Sequence, residues 1–368
     1  MPEALEVLVV GGGPAGGATA LILARAGHEV ALIERGDLQG ERVGETVSVP
    51  GMAILEQLEL GEAVREQGHV ISPRIRSAWS SAELRDSNMA DQPLGGWWHV
   101  DRRKFDRLLL DAAAAAGARV WTEVAIDELR SDDEGTRLRA RAGEQRIELA
   151  ASWVVDATGR ACSIARSRGA TRVQHDQLVG VVGFPAVIDP GADPSGADFY
   201  TMTEALDDGW WYTARLPGDR FVAIYMTDAD LLAKGRSALA ELYAARLAMA
   251  PHTRERIDAE AARATAITVT SAASARLDRV SGSGWIAVGD AAMSFDPATG
   301  VGVWHALDSA QRAAYAISCE LADDPEPRDE YGRDQAEIFT DYLALIRELY
   351  GRNVRWPDAP FWARRRGS

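Results

Sequence analysis

Lysine is almost missing from this chain: of 40 basic side chains, only Lys104 and Lys234 are lysines. Cysteine is equally scarce, with Cys162 and Cys319 alone. Two cysteines without metal-ligand spacing exclude a disulfide framework, and a reducing cytoplasm fits them. No cluster of histidine, cysteine and carboxylate stands at ligand spacing, so no metal is expected. No apolar run is long enough to cross a bilayer, which argues against a membrane partner. Export is not expected either, because Glu3 and Glu6 stand where a signal sequence carries basic and then apolar residues. Positive charge is in deficit: 55 acidic against 40 basic side chains give a net charge of −15. That balance excludes sequence-independent nucleic-acid binding, which needs a basic surface to displace counterions. A small molecule or a peptide is the expected ligand.

What is present begins with a short apolar run over 5–10. It ends in Gly11-Gly12-Gly13-Pro14-Ala15-Gly16 and is followed by an Ala/Leu-rich helical stretch to Ala26 and a second apolar run over 29–34. This reads as a βαβ unit. Gly11, Gly13 and Gly16 hold G-x-G-x-x-G spacing: the first allows a tight turn, the second admits a pyrophosphate, and the third lets the helix pack on the strand. The amides of this turn, around Pro14 and Ala15, face the anion. Glu34 ends the second run, where a carboxylate accepts hydrogen bonds from a ribose diol. FAD and NAD fit this unit equally.

Further on, 54–67 and 104–116 read as helices, and 117–122 and 152–156 as strands of the same sheet. Aromatic and β-branched residues over 75–84, 97–100, 179–187, 209–216 and 220–227 predict a second, mostly antiparallel sheet. Pro185, Pro190 and Pro194 with Gly191 and Gly196 mark a loop inside it. Helices are predicted over 231–250, 300–320 and 328–350, and a strand over 285–288. The fold class is therefore α/β (α+β). A discontinuous Rossmann-like cofactor domain (1–74, 99–166, 276–325) is joined by a mostly antiparallel substrate domain (75–98, 167–275) and a C-terminal helical segment (326–368).

Gly289-Asp290-Ala291-Ala292 follows the late strand, and Asp296-Pro297-Ala298-Thr299-Gly300-Val301-Gly302 opens the next helix. With these residues the chain resembles the FAD-dependent monooxygenase and flavin-dependent halogenase superfamily, which has a glutathione-reductase-like FAD fold. The resemblance implies that Asp290 contacts the ribityl chain, and that Pro297 and the amides of Gly300, Val301 and Gly302 lie near the flavin pyrimidine. A helix N-terminus there favours the negative charge of reduced flavin. Arg42-Val43-Gly44-Glu45 to Pro50 resembles the family's G-E-S-x-x-P region beside the isoalloxazine, with Thr46 at the serine position. Arg102 to Asp106 resembles the family's R-x-x-F-D helix start, where the arginine reaches FAD phosphates. Asp156 to Arg160, including Gly159, matches the strand end at which the chain re-enters the cofactor domain. Arg35 and Val124 join the implied cofactor contacts.

Tryptophan halogenases of this superfamily need a catalytic lysine and a glutamate after the late D-P pair. Here Lys104 and Lys234 fall in helical segments and Thr299 holds the glutamate position, so halogenation is disfavoured. Asp208 to Tyr212, Leu216-Pro217-Gly218, Arg355-Trp356-Pro357 and Phe361-Trp362 resemble instead hydroxylases of peptide-bound tryptophan and maturation flavoproteins for tryptophan-derived quinones. The resemblance implies an FAD-dependent monooxygenase that hydroxylates an electron-rich aromatic, an indole on a peptide or protein, through a flavin C4a-hydroperoxide. Trp98, Trp210, Trp211 and Tyr212, with Trp97, are suited to wall a flat apolar cavity. Glu45 is the candidate base or positioning group, ahead of His99 and His305. No second nucleotide fingerprint is visible, so NAD(P)H acts directly or a separate flavin reductase is a partner. The alternatives are an FAD-dependent saturase or dehydrogenase of a hydrophobic substrate, and a non-catalytic flavoprotein that escorts a maturing peptide.

Overall fold

The computed structural model describes residues 3–92, 95–132, 135–185, 199–218, 220–232 and 234–367. Its first sheet has a parallel centre: Arg119–Trp121, Val30–Ile33, Glu3–Val10, Gln145–Asp156 and Trp285–Ala287 lie side by side. Val30–Ile33 and Val7 to Val10 are buried throughout, the continuous apolar reading of strands covered on both faces. Each buried leucine or isoleucine here contributes about 1.5–3 kcal/mol. The register brings Val10 level with both Ile33 and Asp156, and Asp156 level with Ala287. The carboxyl ends of these strands thus share one edge, where open α/β sheets bind their ligands. Val124–Asp132 and Gly135–Ala142 form an antiparallel meander with the first half of Gln145–Asp156. Their outward positions are charged, which is why no apolar run announced them.

The helix Pro14–Arg25 is built of small residues and packs against Arg102–Ala115 and Gly302–Leu321. Close approach is the reason: a Cβ on Gly17 would stand 2.8 Å from the Cβ of Leu109.

The second sheet runs Thr268–Ser271, Leu178–Gly183, Arg220–Asp228, Gly209–Leu216, Tyr200–Leu206, Arg74–Ala78, Arg85–Asn88. All its pairs are antiparallel except Tyr200–Leu206 with Arg74–Ala78. It is the mostly antiparallel layer that was expected, with one correction. Trp97–His99 is not part of it but pairs with Thr46–Val47 and Val70–Ser72 in a separate small sheet. A three-residue strand takes whichever partners its flanking chain delivers, and here those are the loop after Gly44 and the strand before Pro73. The predicted loop positions Pro190, Gly191, Pro194 and Gly196, and the end of the strand predicted over 179–187, lie outside the described residues.

Glu326–Gly351 and Pro360–Gly367 complete the molecule against one face of the second sheet. Phe339, Tyr342, Tyr350, Phe361 and Trp362 share a core with Trp79, Trp210, Ile224 and Met226. Arg365 and Arg364 fix the last helix to Asp228 at 2.7 and 3.0 Å.

Candidate flavin and substrate site

One cavity of about 660 Å³ joins the two sheets. It starts at Gly13, Pro14 and Ala15, passes Arg102, Gly159 and Asp290 to Pro297, Gly300, Val301 and Gly302, and ends under the second sheet at Thr201, Tyr212 and Met226.

The glycines of the turn differ in what surrounds them. Gly11 has φ +113°, and a Cβ there would lie 2.1 Å from the carbonyl oxygen of Ala157; one on Gly16 would lie 1.9 Å from the oxygen of Gly11. Gly13 differs, because a Cβ on it meets nothing within 4 Å. Its missing side chain keeps a cradle open over the N-terminus of Pro14–Arg25, a helix start with no side-chain cap. Uncapped amides facing an open space are what a pyrophosphate requires. Glu34 is bound to the same turn: its carboxylate accepts from Gly12 N at 2.6 Å and Gly36 N at 2.8 Å. Arg42 lies 4.0 Å from Glu34 and donates to Asp106 at 3.2 Å. Arg102 lies in the cavity wall, forks onto Asp106 at 2.9 Å twice, and donates to the carbonyls of Val43 and Gly44. At the far end Gly300, with φ +65°, lies under the Trp97 ring, 2.9 Å from where its Cβ would be. The 20-residue helix Gly302–Leu321 starts there, also without a side-chain cap. An elongated track with uncapped helix starts at both ends fits FAD.

Seven candidate cofactor residues do not line the cavity: Gly11, Gly16, Glu34 and Arg42 stand in or beside the glycine turn, and three lie apart from it. Arg35 is exposed, and Val124 is buried with its amide on Glu34 O at 3.0 Å. The Asp156 carboxylate is turned into its own loop, accepting from Thr158 N and Oγ1 and from Ala165 N at 2.6–3.0 Å. None of the three lines the cavity.

Strand alternation sorts the aromatics. Tyr212 lines the cavity, whereas Trp210 lies in the core behind it, donating Nε1–H to the Tyr350 hydroxyl at 3.0 Å. Trp211 faces the opposite way, packed on Tyr225 and Tyr243. Trp98 belongs to the core of the first sheet, and its neighbour Trp97 reaches the cavity instead. Of the five aromatics expected to wall the cavity, the geometry therefore brings Tyr212 and Trp97 to it; Trp79 and Phe295 were missed.

Glu45 is 3% exposed and still lines the cavity. It accepts from Gly44 N at 3.0 Å and from the Tyr212 hydroxyl, which also meets Thr46 Oγ1 at 2.9 Å. Burial and the Glu45 carboxylate push the Tyr212 phenol well above its ordinary value. Asp296, likewise in the wall, is pushed up to about 6 by burial, and it accepts from the Tyr350 hydroxyl at 2.7 Å. His305 is buried against Gln335, away from the wall, and burial lowers its basicity. Opposite, Arg160 pairs with Asp290 at 3.2 Å. Neither lysine reaches the cavity: Lys104 donates to Gln67 O at 3.0 Å on the surface, and Lys234 is exposed. No group of three or more potential metal ligands gathers among the described residues, and no helix there is long and apolar enough to cross a membrane.

Fold and cavity define a flavoprotein of the halogenase-like FAD fold. The chain belongs to the FAD binding domain family, which matches residues 4–343. LodB of Marinomonas mediterranea, described as an FAD-dependent oxidoreductase, is 32% identical over 373 residues, covering 99% of this chain and 97% of its own. The peptidyl tryptophan dihydroxylase QhpG, essential for tryptophylquinone cofactor biogenesis, superposes with a TM-score of 0.81 at 30% identity, over 99% of this chain and 79% of its own. The flavin-dependent halogenase CmlS superposes with a TM-score of 0.85 at 25% identity, over 100% of this chain and 68% of its own.

Proposed function

We propose that this chain is an FAD-dependent monooxygenase that hydroxylates an electron-rich aromatic ring, with an indole presented on a peptide as its substrate class. One observation carries the reading: the cavity that begins at the glycine cradle ends on an aromatic and carboxylate wall, with Trp79, Trp97, Tyr212 and Glu45 together and no lysine. Bound and reduced, FAD supplies the electrons that activate O₂. The protein's own part is to hold the ring flat against Trp97 and Tyr212, exclude water, and take up a proton at Glu45. The backbone N–H groups of Gly13 and Ala15 and the start of Gly302–Leu321 would hold the cofactor's anionic parts. The peptide reading is supported by the likeness to a peptidyl tryptophan dihydroxylase. NAD(P)H or a partner flavin reductase supplies the electrons, and a cytoplasmic setting accords with unpaired Cys162 and Cys319.

Halogenation is the second reading, favoured by the likeness to CmlS. Both are tested by incubating the FAD-loaded protein with a reductant, ¹⁸O₂, chloride and a library of tryptophan-containing peptides. Gain of labelled oxygen supports the hydroxylase, gain of chlorine replaces it with the halogenase, and a loss of two hydrogens without oxygen means a dehydrogenase.

A further inference from the structure

Under the second sheet the cavity floor is a row of residues set by strand register. Arg85 stands opposite Ser77, Ser77 opposite Thr203, and Thr203 opposite Tyr212, and all four line the cavity. The hydroxyl oxygens of Ser77 and Thr203 are 2.9 Å apart. The row runs from Tyr212 to the edge strand Arg85–Asn88, which is exposed at all four positions. Strand alternation separates the charges of that strand. Arg85 and Ser87 line the cavity, whereas Asp86 between them turns to Arg74 and Arg76 at 3.4 and 3.7 Å. Trp79, two residues past Ser77, donates Nε1–H to the carbonyl of Leu349 at 3.0 Å. That bond ties the end of Glu326–Gly351 to the floor, and Arg352, just beyond it, joins the wall.

Four arginines line the cavity, and they divide by partner. Arg102 is forked onto Asp106 and Arg160 pairs with Asp290, both along the flavin track. Arg85 is exposed and has no ion pair among the described residues, and Arg352 has an exposed one, with Glu348 at 2.6 Å. Exposed pairs one helical turn apart hold weakly, so an incoming carboxylate can replace Glu348. The carboxylates of the wall are engaged already: Glu45 by Tyr212, Asp290 by Arg160, Asp296 by Tyr350. We infer that Arg85, assisted by Arg352, is a subsite for an acidic side chain of the substrate peptide, so that the site selects an indole with a glutamate or aspartate nearby in its sequence. The spacing follows from the sheet. Three strand separations of about 4.8 Å place Tyr212 and Arg85 roughly 14 Å apart, which an extended peptide covers in about four residues. Side-chain reach at both ends shortens this, so the acid stands about two to four residues from the indole. Ser77 and Thr203 lie between, with hydroxyls for the peptide backbone. Free tryptophan carries its carboxylate too near its ring to span the row. The net charge of −15 opposes an acidic peptide at long range, but salt screens that field beyond about 8–10 Å, and contact at Arg85 is closer than that. The assignment rests on the reading of the substrate as an indole borne on a peptide.

The test measures binding apart from turnover, by fluorescence anisotropy with the FAD-loaded protein. The probes are labelled Gly/Ser peptides of about nine residues with one central tryptophan, flanked at the third position on each side by glutamate or, in the control, by glutamine. The glutamate peptide is expected to bind about tenfold more tightly, the effect of a charge-assisted pair at a solvent-facing mouth. Arg85→Gln should abolish the difference, Arg85→Lys should keep part of it, and Arg85→Glu should reverse it in favour of a lysine-flanked peptide. Arg352→Gln should reduce it by less than Arg85→Gln does. Arg85 is exposed on an edge strand, so these variants keep the fold, which unchanged FAD content checks. Equal binding of the two peptides by the native protein, binding of neither, or a preference that survives Arg85→Gln overturns the inference, as does free tryptophan that competes as well as the glutamate peptide. The same peptides are then incubated with a reductant and ¹⁸O₂. A glutamate preference that depends on Arg85, with no oxygen gained, leaves the acidic subsite standing and removes the hydroxylase. Labelled oxygen gained equally by both peptides, without a binding preference, keeps the hydroxylase and removes the subsite.

Discussion

The two ends of the cavity are made of different material. At the nucleotide end the working parts are backbone amides and missing side chains: Gly11, Gly13 and Gly16 shape a turn, and Gly12 N and Gly36 N hold Glu34. At the substrate end the working parts are side chains brought together from far along the chain, with Glu45 and Tyr212 separated by 167 positions. A backbone site depends on local conformation and is spoiled by adding atoms. A side-chain site depends on tertiary convergence and is spoiled by removing them.

The largest effect should come from adding atoms at the nucleotide end. Gly13→Glu fills the open cradle with bulk and negative charge, so FAD affinity is expected to drop more than a thousandfold, while the flavin-free chain keeps its melting temperature. Gly16→Ala places a Cβ against the Gly11 carbonyl, and it should cost the fold itself about 3 kcal/mol or more. Flavin titration and thermal melts on both variants check the split. A Gly13→Glu protein that still binds FAD would remove the cradle from the argument.

Next in size is a contrast between two tryptophans. Trp211 is fully buried on Tyr243, so Trp211→Ala should cost about 3–5 kcal/mol in urea unfolding. Half-buried Trp97 lines the cavity, so Trp97→Ala should leave stability within about 1 kcal/mol and act on ligand binding instead. The sequence could not sort these residues. Gly209–Leu216 is buried at all eight positions, so its two faces look alike until each is seen against its own neighbours. The parallel centre of the first sheet and its turn were legible because the signal is local: apolar runs, glycine spacing, and an acid at a strand end. Asp290 and the stretch Pro297 to Gly302 were legible only through the resemblance to the FAD-dependent superfamily, and both line the cavity. Thr201 and Trp79 were not, because what makes them part of the wall is pairing with strands and loops remote in sequence. Asp156 and Val124 lie at strand ends close to the cofactor edge, yet the Asp156 carboxylate is spent on its own loop and the Val124 amide on the carbonyl of Glu34.

The third effect sets two buried titrating groups of the substrate end against each other. Asp296 is raised from 3.8 to about 6 by burial, so between those values the native state binds more protons than the unfolded chain. Its contribution is therefore most favourable below about pH 4 and is lost as pH rises through 6, by about 2–3 kcal/mol in total. His99 works in the opposite sense. Its folded value is lowered from 6.5 to about 4, so the unfolded chain binds the extra proton, and stability is gained as pH rises over that window. In the native protein the two slopes offset each other. Asp296→Asn should steepen the rise in stability between pH 4 and 6, measured by urea midpoints, and His99→Phe should flatten or invert it. Equal slopes in all three proteins would mean that neither group stays buried in solution.

The smallest change tests whether the substrate end depends on one atom. Tyr212→Phe keeps the ring in the cavity wall and removes only its hydroxyl, which donates to Glu45 and meets Thr46 Oγ1 at 2.9 Å. Because the hydroxyl plays no part at the glycine cradle, FAD content and affinity should be unchanged. Turnover of an accepted peptide should fall by about tenfold in kcat with KM little altered, since a hydrogen bond to a charged group contributes about 1.5–3 kcal/mol and Thr46 can replace part of it. If kcat holds and KM rises instead, the phenol serves to bind the ring, and Glu45 accepts the proton without its help. If FAD is lost as well, the two ends are one structural unit, and the contrast between a backbone site and a side-chain site fails.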